Sequence, residues 1–224
     1  PDAPELRLAE LLARYRALRE ARLEGAARST RNAANLVLIS LQKRLMSSIE
    51  AFACTLRVHR RAVERQHTKI LADGGATPAP APNSQLAILA QSTDSDDDRA
   101  EEPEDQVQAE EDAAMEAATA SSTATTAELL QRELALLDEM ESIAEAHRHE
   151  PDPRVHLLVD WIRKYQCPSL PALGSRDRHP AAWLPARVLI FTEYVDTKRY
   201  LEQQLRSAIA GTHQADLRIS TFHG

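Results

Sequence analysis

Between Asp94 and Glu116 the sequence places twelve carboxylates and one base, Arg99, a local charge of −11. Like charges at this density repel. The stretch also holds too little apolar surface to offset the ~1–2 kcal/mol per residue that ordering a backbone costs. It therefore divides the 224-residue chain. The whole chain carries −7, from 27 Lys and Arg against 34 Asp and Glu, so everything outside the block sums to +4. Residues 1–71 hold fourteen bases against seven acids, a charge of +7. The sequence pI near 5.6 is thus the product of one segment, and the first third of the chain is basic.

Around the block, residues 72–127 are expected to form a disordered acidic linker. The segment opens with Gly74, Gly75, Pro78, Pro80 and Pro82 and closes in a Ser/Thr/Ala tract. The short run Leu86–Leu89 inside it has the look of a docking motif, although isolated apolar runs in linkers usually do nothing. Residues 1–71 form a basic helical region. Leu38, Leu41, Leu45, Ile49, Phe52, Leu56 and Val63 share one stripe of a 3.6-residue helix, and Leu8, Leu11, Leu12, Tyr15 and Leu18 share another, with Gly25 as the break between. Lys43, Arg44, Arg57, Arg60 and Arg61 lie opposite the second stripe. They suit a solvated face or a phosphate-facing one, and spacing does not separate the two.

Residues 128–166 return to helical periodicity through Leu130, Leu134, Leu137 and Ile143. Pro151 and Pro153 interrupt it, and Asp152 is placed to cap a second helix whose inward face is Val155, Leu158, Val159 and Ile162. A loop through Cys167, Pro168, Pro171, Gly174 and Pro180 follows. From 186 to 224 the period changes. Val188-Leu189-Ile190-Phe191 predicts a strand buried on both faces, Val195 to Leu205 an amphipathic helix ending near Gly211, and Leu217 to Phe222 a second strand. Strand, helix, strand is a βαβ unit. One such unit cannot bury both faces of its sheet, so the chain is expected to stop in mid-domain. Seven of the nine aromatics lie after His156, which predicts a packed core in this final third.

The fold class expected is mostly α-helical with a C-terminal α/β piece. No apolar run approaches the ~18–20 residues of a membrane span and no charged-then-apolar leader stands at the N-terminus. Cys54 and Cys167 sit far apart and outside any CxxC pair. The expected setting is cytoplasmic, with no membrane partner and no metal site. No glycine begins a GxxxxGK[ST] loop, and no GxSxG elbow occurs. Leu136-Leu137-Asp138-Glu139 mimics an Mg²⁺-holding motif, but its helical surroundings assign it to a helix. His147 and His149 are two apart, unlike the i, i+4 pair of a helical metal site. What remains is the junction after Phe191. There Thr192 or Asp196 is placed to cap a helix whose amides would face an anion, Tyr194 and Thr197 add hydroxyls, and His223 and Gly224 reach the same edge.

The stretches "RVLIFTEYVDTKRYLEQQL" and "ISTFHG" resemble the opening of the second RecA-like lobe of superfamily 2 helicases of the Swi/Snf-like branch. "DPRVHLLVDWIRKY" looks like the helix leading into that lobe. "LQKRLMSSIEAFACTLRVHRRAVE" is similar to the inter-lobe helices of bacterial relatives, among them the Swi/Snf-like helicases of DISARM phage-defence systems. The resemblance implies an internal piece of an ATP-driven motor on double-stranded DNA, with other helicase or defence-system subunits as partners. By position it nominates Thr192, Glu193, Tyr194, His223 and Gly224 as nucleic-acid-facing residues and no catalytic residue. The ATP and Mg²⁺ of such motors are held by motifs that this sequence lacks. The chain alone is therefore expected to be inactive. The alternative is a non-enzymatic helical adaptor whose acidic tether pairs with basic partners, among them its own Arg57, Arg60 and Arg61. A third option is that the acidic block masks the basic helices.

Overall fold

The computed structural model describes residues 3–73, 103–120, 126–175 and 181–222. Among them are seven α-helices and no strand: α1 (Pro4–Arg22), α2 (Arg28–Ser47), α3 (Ile49–Asp73), α4 (Glu104–Ala120), α5 (Ala127–His147), α6 (Pro153–Tyr165) and α7 (Val195–Ile209). A single 3₁₀ turn, Ala215–Leu217, follows α7. The chain divides into two units, residues 1–148 and 149–224, so the boundary falls inside the segment 128–166 that the sequence groups together.

In the first unit α3 is central. It packs against α2, α4 and α5, while α1 lies on α5 and α2. The apolar stripes meet in one core in which Leu8, Leu41, Phe52, Leu56, Leu130 and Leu137 are fully buried. Gly25 breaks α1 from α2 at φ +83°, a left-handed conformation that glycine adopts without the Cβ clash of other residues. A second break, at Ser48, divides what the stripe reads as one helix. Ser48 is extended (φ −164°, ψ 155°), and its Oγ accepts a bond from the Ala51 amide at 3.0 Å. The stripe runs unbroken through this corner, so periodicity alone does not reveal it.

The largest departure from expectation is α4. Over Glu104–Ala120 the acidic segment is helical rather than disordered, with Ala114, Met115, Ala118 and Thr119 buried. This burial and charge supplied from outside the segment hold it, since Arg44 pairs with Glu111 and Arg65 with Glu116. The run Leu86–Leu89 lies outside the described residues, as does the first part of the acidic block. Leu136 to Glu139 lies in mid-α5, a helix capped by Thr126, whose Oγ1 accepts from the Leu129 amide at 3.3 Å.

The second unit is built on α6 and α7. Asp152 caps α6 through the Val155 amide at 2.8 Å, with Pro153 in the first turn, as the sequence predicts. Tyr200 of α7 is buried, and its hydroxyl donates to the Glu150 carbonyl (2.8 Å) and accepts from the Asp152 amide (2.9 Å). Residues up to Ala186 are tied down: the Leu184 amide donates to the Gln166 carbonyl (2.7 Å) and Gln166 Nε2 donates to the Ala186 carbonyl (3.1 Å). Beyond Ala186 the chain leaves its own core.

Here two expectations are corrected. Val188–Phe191 is not a strand, and its four side chains are exposed, Phe191 at 86%. Nor is Leu217 to Phe222 a strand. Leu217 ends the 3₁₀ turn and Phe222 is exposed. A strand requires a neighbour to take its backbone hydrogen bonds, and among the described residues neither segment has one. Of the βαβ unit only the helix is formed. The aromatic core is likewise reduced, with Tyr200 buried while Trp161, Tyr165, Phe191 and Phe222 are exposed.

Two substitutions test this architecture. Leu137→Ala removes a fully buried side chain and should cost about 2–5 kcal/mol in urea unfolding. Asp152→Ala removes a cap and a half-exposed pair with Arg154 and should cost about 0.5–2 kcal/mol. Equal and negligible losses would contradict the placement of Leu137 in a packed helix.

Candidate functional site

Two regions gather chemistry-bearing side chains, one in each unit. In the first, a polar chain runs through the apolar core. Tyr15 and Arg19 are one turn apart on α1, so both project to one face, where His59 of α3 meets them. His59 Nε2 lies 2.6 Å from the Tyr15 hydroxyl and 3.3 Å from Arg19 Nη1, and His59 Nδ1 lies 2.7 Å from Thr119 Oγ1 of α4. Thr119 Oγ1 donates to the Met115 carbonyl at 2.7 Å, and Gln66 Nε2 donates to the Thr119 carbonyl at 2.9 Å. We assign the ring's state from this network of bonds. A guanidinium can only donate, so Nε2 accepts. The Thr119 proton is committed to Met115, so Nδ1 carries the hydrogen and His59 is neutral. Burial, reinforced by the cations Arg19 and Arg22, pushes its pKa well below the ordinary histidine value.

Beside this chain Arg22 Nε stands 3.0 Å from Glu133 Oε1 of α5, with both side chains almost wholly buried. Burial lowers the Arg22 pKa, an effect that Glu133 opposes. Burial likewise raises the Glu133 carboxyl above its usual range against the pull of Arg19 and Arg22. The Tyr15 phenol is raised by the same desolvation. A fully enclosed set of this kind has no path for a substrate. Its chemistry is to fix α1, α3, α4 and α5 in one register.

On the basic face of α2 and α3, Arg44, Arg57 and Arg60 are ion-paired within the unit, while Lys43 and Arg61 are exposed. Arg57 pairs with Glu145, and Arg60 Nε lies 2.5 Å from Asp138 and 3.1 Å from Glu141. Arg44 and Arg65 pair with α4. At the lower edge Arg148 grips Glu50 through two nitrogens at 2.5 and 2.6 Å, which holds its guanidinium charged far above neutrality.

In the second unit the residues nominated from the sequence stand at the start of α7. Tyr194 is the N-cap, half-buried and without a side-chain capping bond; Thr192 is half-buried and Glu193 exposed. The cap expected from Thr192 or Asp196 is not made by either, because α7 begins at Val195 and places Asp196 inside the first turn. Lys198 and Arg199 follow on the next turn, where burial and the neighbouring Arg199 pull Lys198 below its usual pKa. Helix amides and two cations favour an anion here, while Glu193 and Asp196 oppose it. His223 and Gly224 lie outside the described residues.

The polar chain in the first unit is absent from the sequence reading. The signal for it is a gap: the α3 stripe passes from Leu56 to Val63, and the position between them on that face is His59. Among the described residues no three His, Cys, Asp or Glu side chains converge in a way that would hold a metal ion, and no helix is long and apolar enough to cross a membrane. Searches of protein-family models, curated proteins and solved structures give no significant match to this chain.

The neutral His59 has a pH consequence. The unfolded chain protonates this ring below about pH 6.5 while the folded one resists. Its contribution to stability is complete above that pH and is lost as pH falls toward the depressed folded pKa, with a slope of up to about 1.4 kcal/mol per pH unit. The raised Glu133 carboxyl acts in the opposite sense at lower pH. Urea unfolding of the native chain and of His59→Gln should therefore be compared by difference between about pH 5 and 7. A difference that does not change with pH would show that folding leaves the ring's proton affinity unshifted, and one that grows as pH falls would show the ring to be charged in the fold.

Proposed function

We propose that this chain is a piece of a bacterial Swi/Snf-like superfamily 2 helicase or translocase. On this reading it contributes the inter-lobe helices and the opening of the C-terminal RecA-like lobe. The observation that carries the reading is the fate of Val188–Phe191. Four large apolar residues in a row leave the core of their own unit and stand exposed, immediately before a helix that is well packed. Water disfavours such a run by roughly 1.5–3 kcal/mol for each large side chain left exposed rather than buried. A segment of this composition at this place fits a central strand whose sheet is supplied by chain outside these residues. The exposed Trp161, Tyr165 and Phe222 fit the same incomplete unit.

In the intact motor ATP with Mg²⁺ between the two lobes would drive stepping along double-stranded DNA. The described residues do not fit that group, since they offer neither a phosphate-cradling loop nor a carboxylate set for the ion. No step of hydrolysis is therefore assigned to them. Their part is contact: Thr192 and Tyr194 offer hydroxyls beside the α7 amides, and Lys198 and Arg199 supply charge. His223 and Gly224 complete the set that the resemblance nominates, and Glu193 is its weakest member because a carboxylate repels phosphate. Other helicase or defence-system subunits remain the partners this reading implies, in a cytoplasmic setting.

A second reading, a non-enzymatic helical adaptor, is favoured by the pairing of Arg44, Arg57, Arg60 and Arg65 with carboxylates of α4 and α5. Cations already neutralised within their own unit give little attraction to DNA. The two readings part in one experiment. Removing only the hydroxyls, with Thr192→Val and Tyr194→Phe, should weaken binding of a short duplex by about 2- to 10-fold for each lost bond. Unchanged binding would remove the α7 contacts, and no binding at low salt by the native chain would favour the adaptor.

A further inference from the structure

Helix α4 carries six carboxylates and no base. It is seated on α2, which has four bases and no acid, and on α3, with five bases and three acids. Two ion pairs mark the contact. Glu111 pairs with Arg44, whose side chain is only 4% exposed beneath it, and Glu116 Oε1 lies 2.6 Å from Arg65 at the rim. Asp112 sits beside them, its carboxyl raised by burial and drawn back by Gln108 and Arg44. Glu111 and Glu116 are five residues apart, about 7.5 Å of helix rise. Two phosphate steps of one strand cover roughly 7 Å along a duplex axis. The rise is comparable, while five residues also turn about 140° around the helix axis, so each carboxylate addresses its own arginine.

The apolar grip of α4 is slight. Met115 is its one large side chain in the core, beside Ala114 and Ala118. By contrast α5, which holds Arg57 and Arg60, is anchored by Leu130, Leu137 and Met140. Thr119 also ties α4 to His59 and Gln66, so a competitor of matching charge that lifts α4 must break those two bonds while it leaves α5 in place.

We propose that the face of α2 and α3 beneath α4 is a binding surface for the phosphodiester backbone of duplex nucleic acid. Helix α4 occupies this surface as an internal mimic, and the nucleic acid displaces it. Arg44 and Arg65 exchange a carboxylate for a phosphate, which a guanidinium binds with the same two-pronged geometry. Gln66 Nε2, released from the Thr119 carbonyl, becomes a third donor. The proposal rests on the nucleic-acid part of the reading above but uses the first unit alone.

The test uses the full chain, a short duplex DNA and fluorescence anisotropy. Glu111→Gln with Glu116→Gln should bind about tenfold more tightly at low salt and lose that gain between about 50 and 200 mM salt, as two phosphate contacts require. Adding Arg44→Gln and Arg65→Gln should abolish it. In the native chain, which needs no variant to fold, DNA should speed amide exchange across residues 104–120. Unchanged affinity together with unchanged exchange overturns the proposal, as does tighter binding of poly-glutamate than of DNA. If neutralising α4 has no effect while Thr192→Val with Tyr194→Phe still weakens binding, this proposal falls and the helicase reading stands. If the pattern is reversed, the α7 contacts fall and this surface stands.

Discussion

Helices rich in Leu and Ala can slide along one another at little expense, because one apolar contact resembles the next. The chain of bonds from Arg19 and Tyr15 through His59 to Thr119 removes that freedom in the first unit. Its members come from α1, α3 and α4, and the adjoining Arg22–Glu133 pair brings in α5. A slip of one turn would leave a buried histidine and a buried carboxylate without partners, each costing about 1–3 kcal/mol or more. The apolar stripes supply the drive to collapse, and the polar chain selects one alignment from the many that collapse permits.

That arrangement also explains how so uneven a charge distribution folds. Residues 1–71 carry +7 and the block from Asp94 to Glu116 carries −11. Apart, each would resist compaction. Among the described residues Arg44 and Arg65 pair with α4, the described part of the block, while Arg57 and Arg60 pair with carboxylates of α5 that lie outside it. Most of these pairs lie near solvent and are individually weak. Their collective effect is to remove the repulsion that would otherwise keep the acidic segment extended.

Legibility from sequence followed the range of the forces involved. Features fixed by neighbours along the chain were readable: the Asp152–Pro153 start of α6, the left-handed Gly25, and the end of α7 before Gly211 at φ +85°. The helical state of Glu104–Ala120 was not, because its stability depends on arginines more than forty residues away. Ser48 escaped notice because the stripe it interrupts keeps its phase. His59 escaped because a polar residue on an apolar stripe announces a partner without naming it. In the Val188–Phe191 segment the strand propensity was legible, but a strand also needs a ladder, and nothing in a local window tells whether one is available. Of the nominated contact residues, Thr192, Glu193 and Tyr194 do cluster at the start of α7, although Tyr194 takes the N-cap position expected of Thr192 or Asp196.

The exposed ribbon from Val188 to Phe191 also carries a hazard. Wherever this stretch stands exposed, it offers a sticky, uncharged surface to every other nascent chain nearby. Holdase chaperones recognise such surfaces. The tendency of this chain to clump is therefore concentrated at four residues.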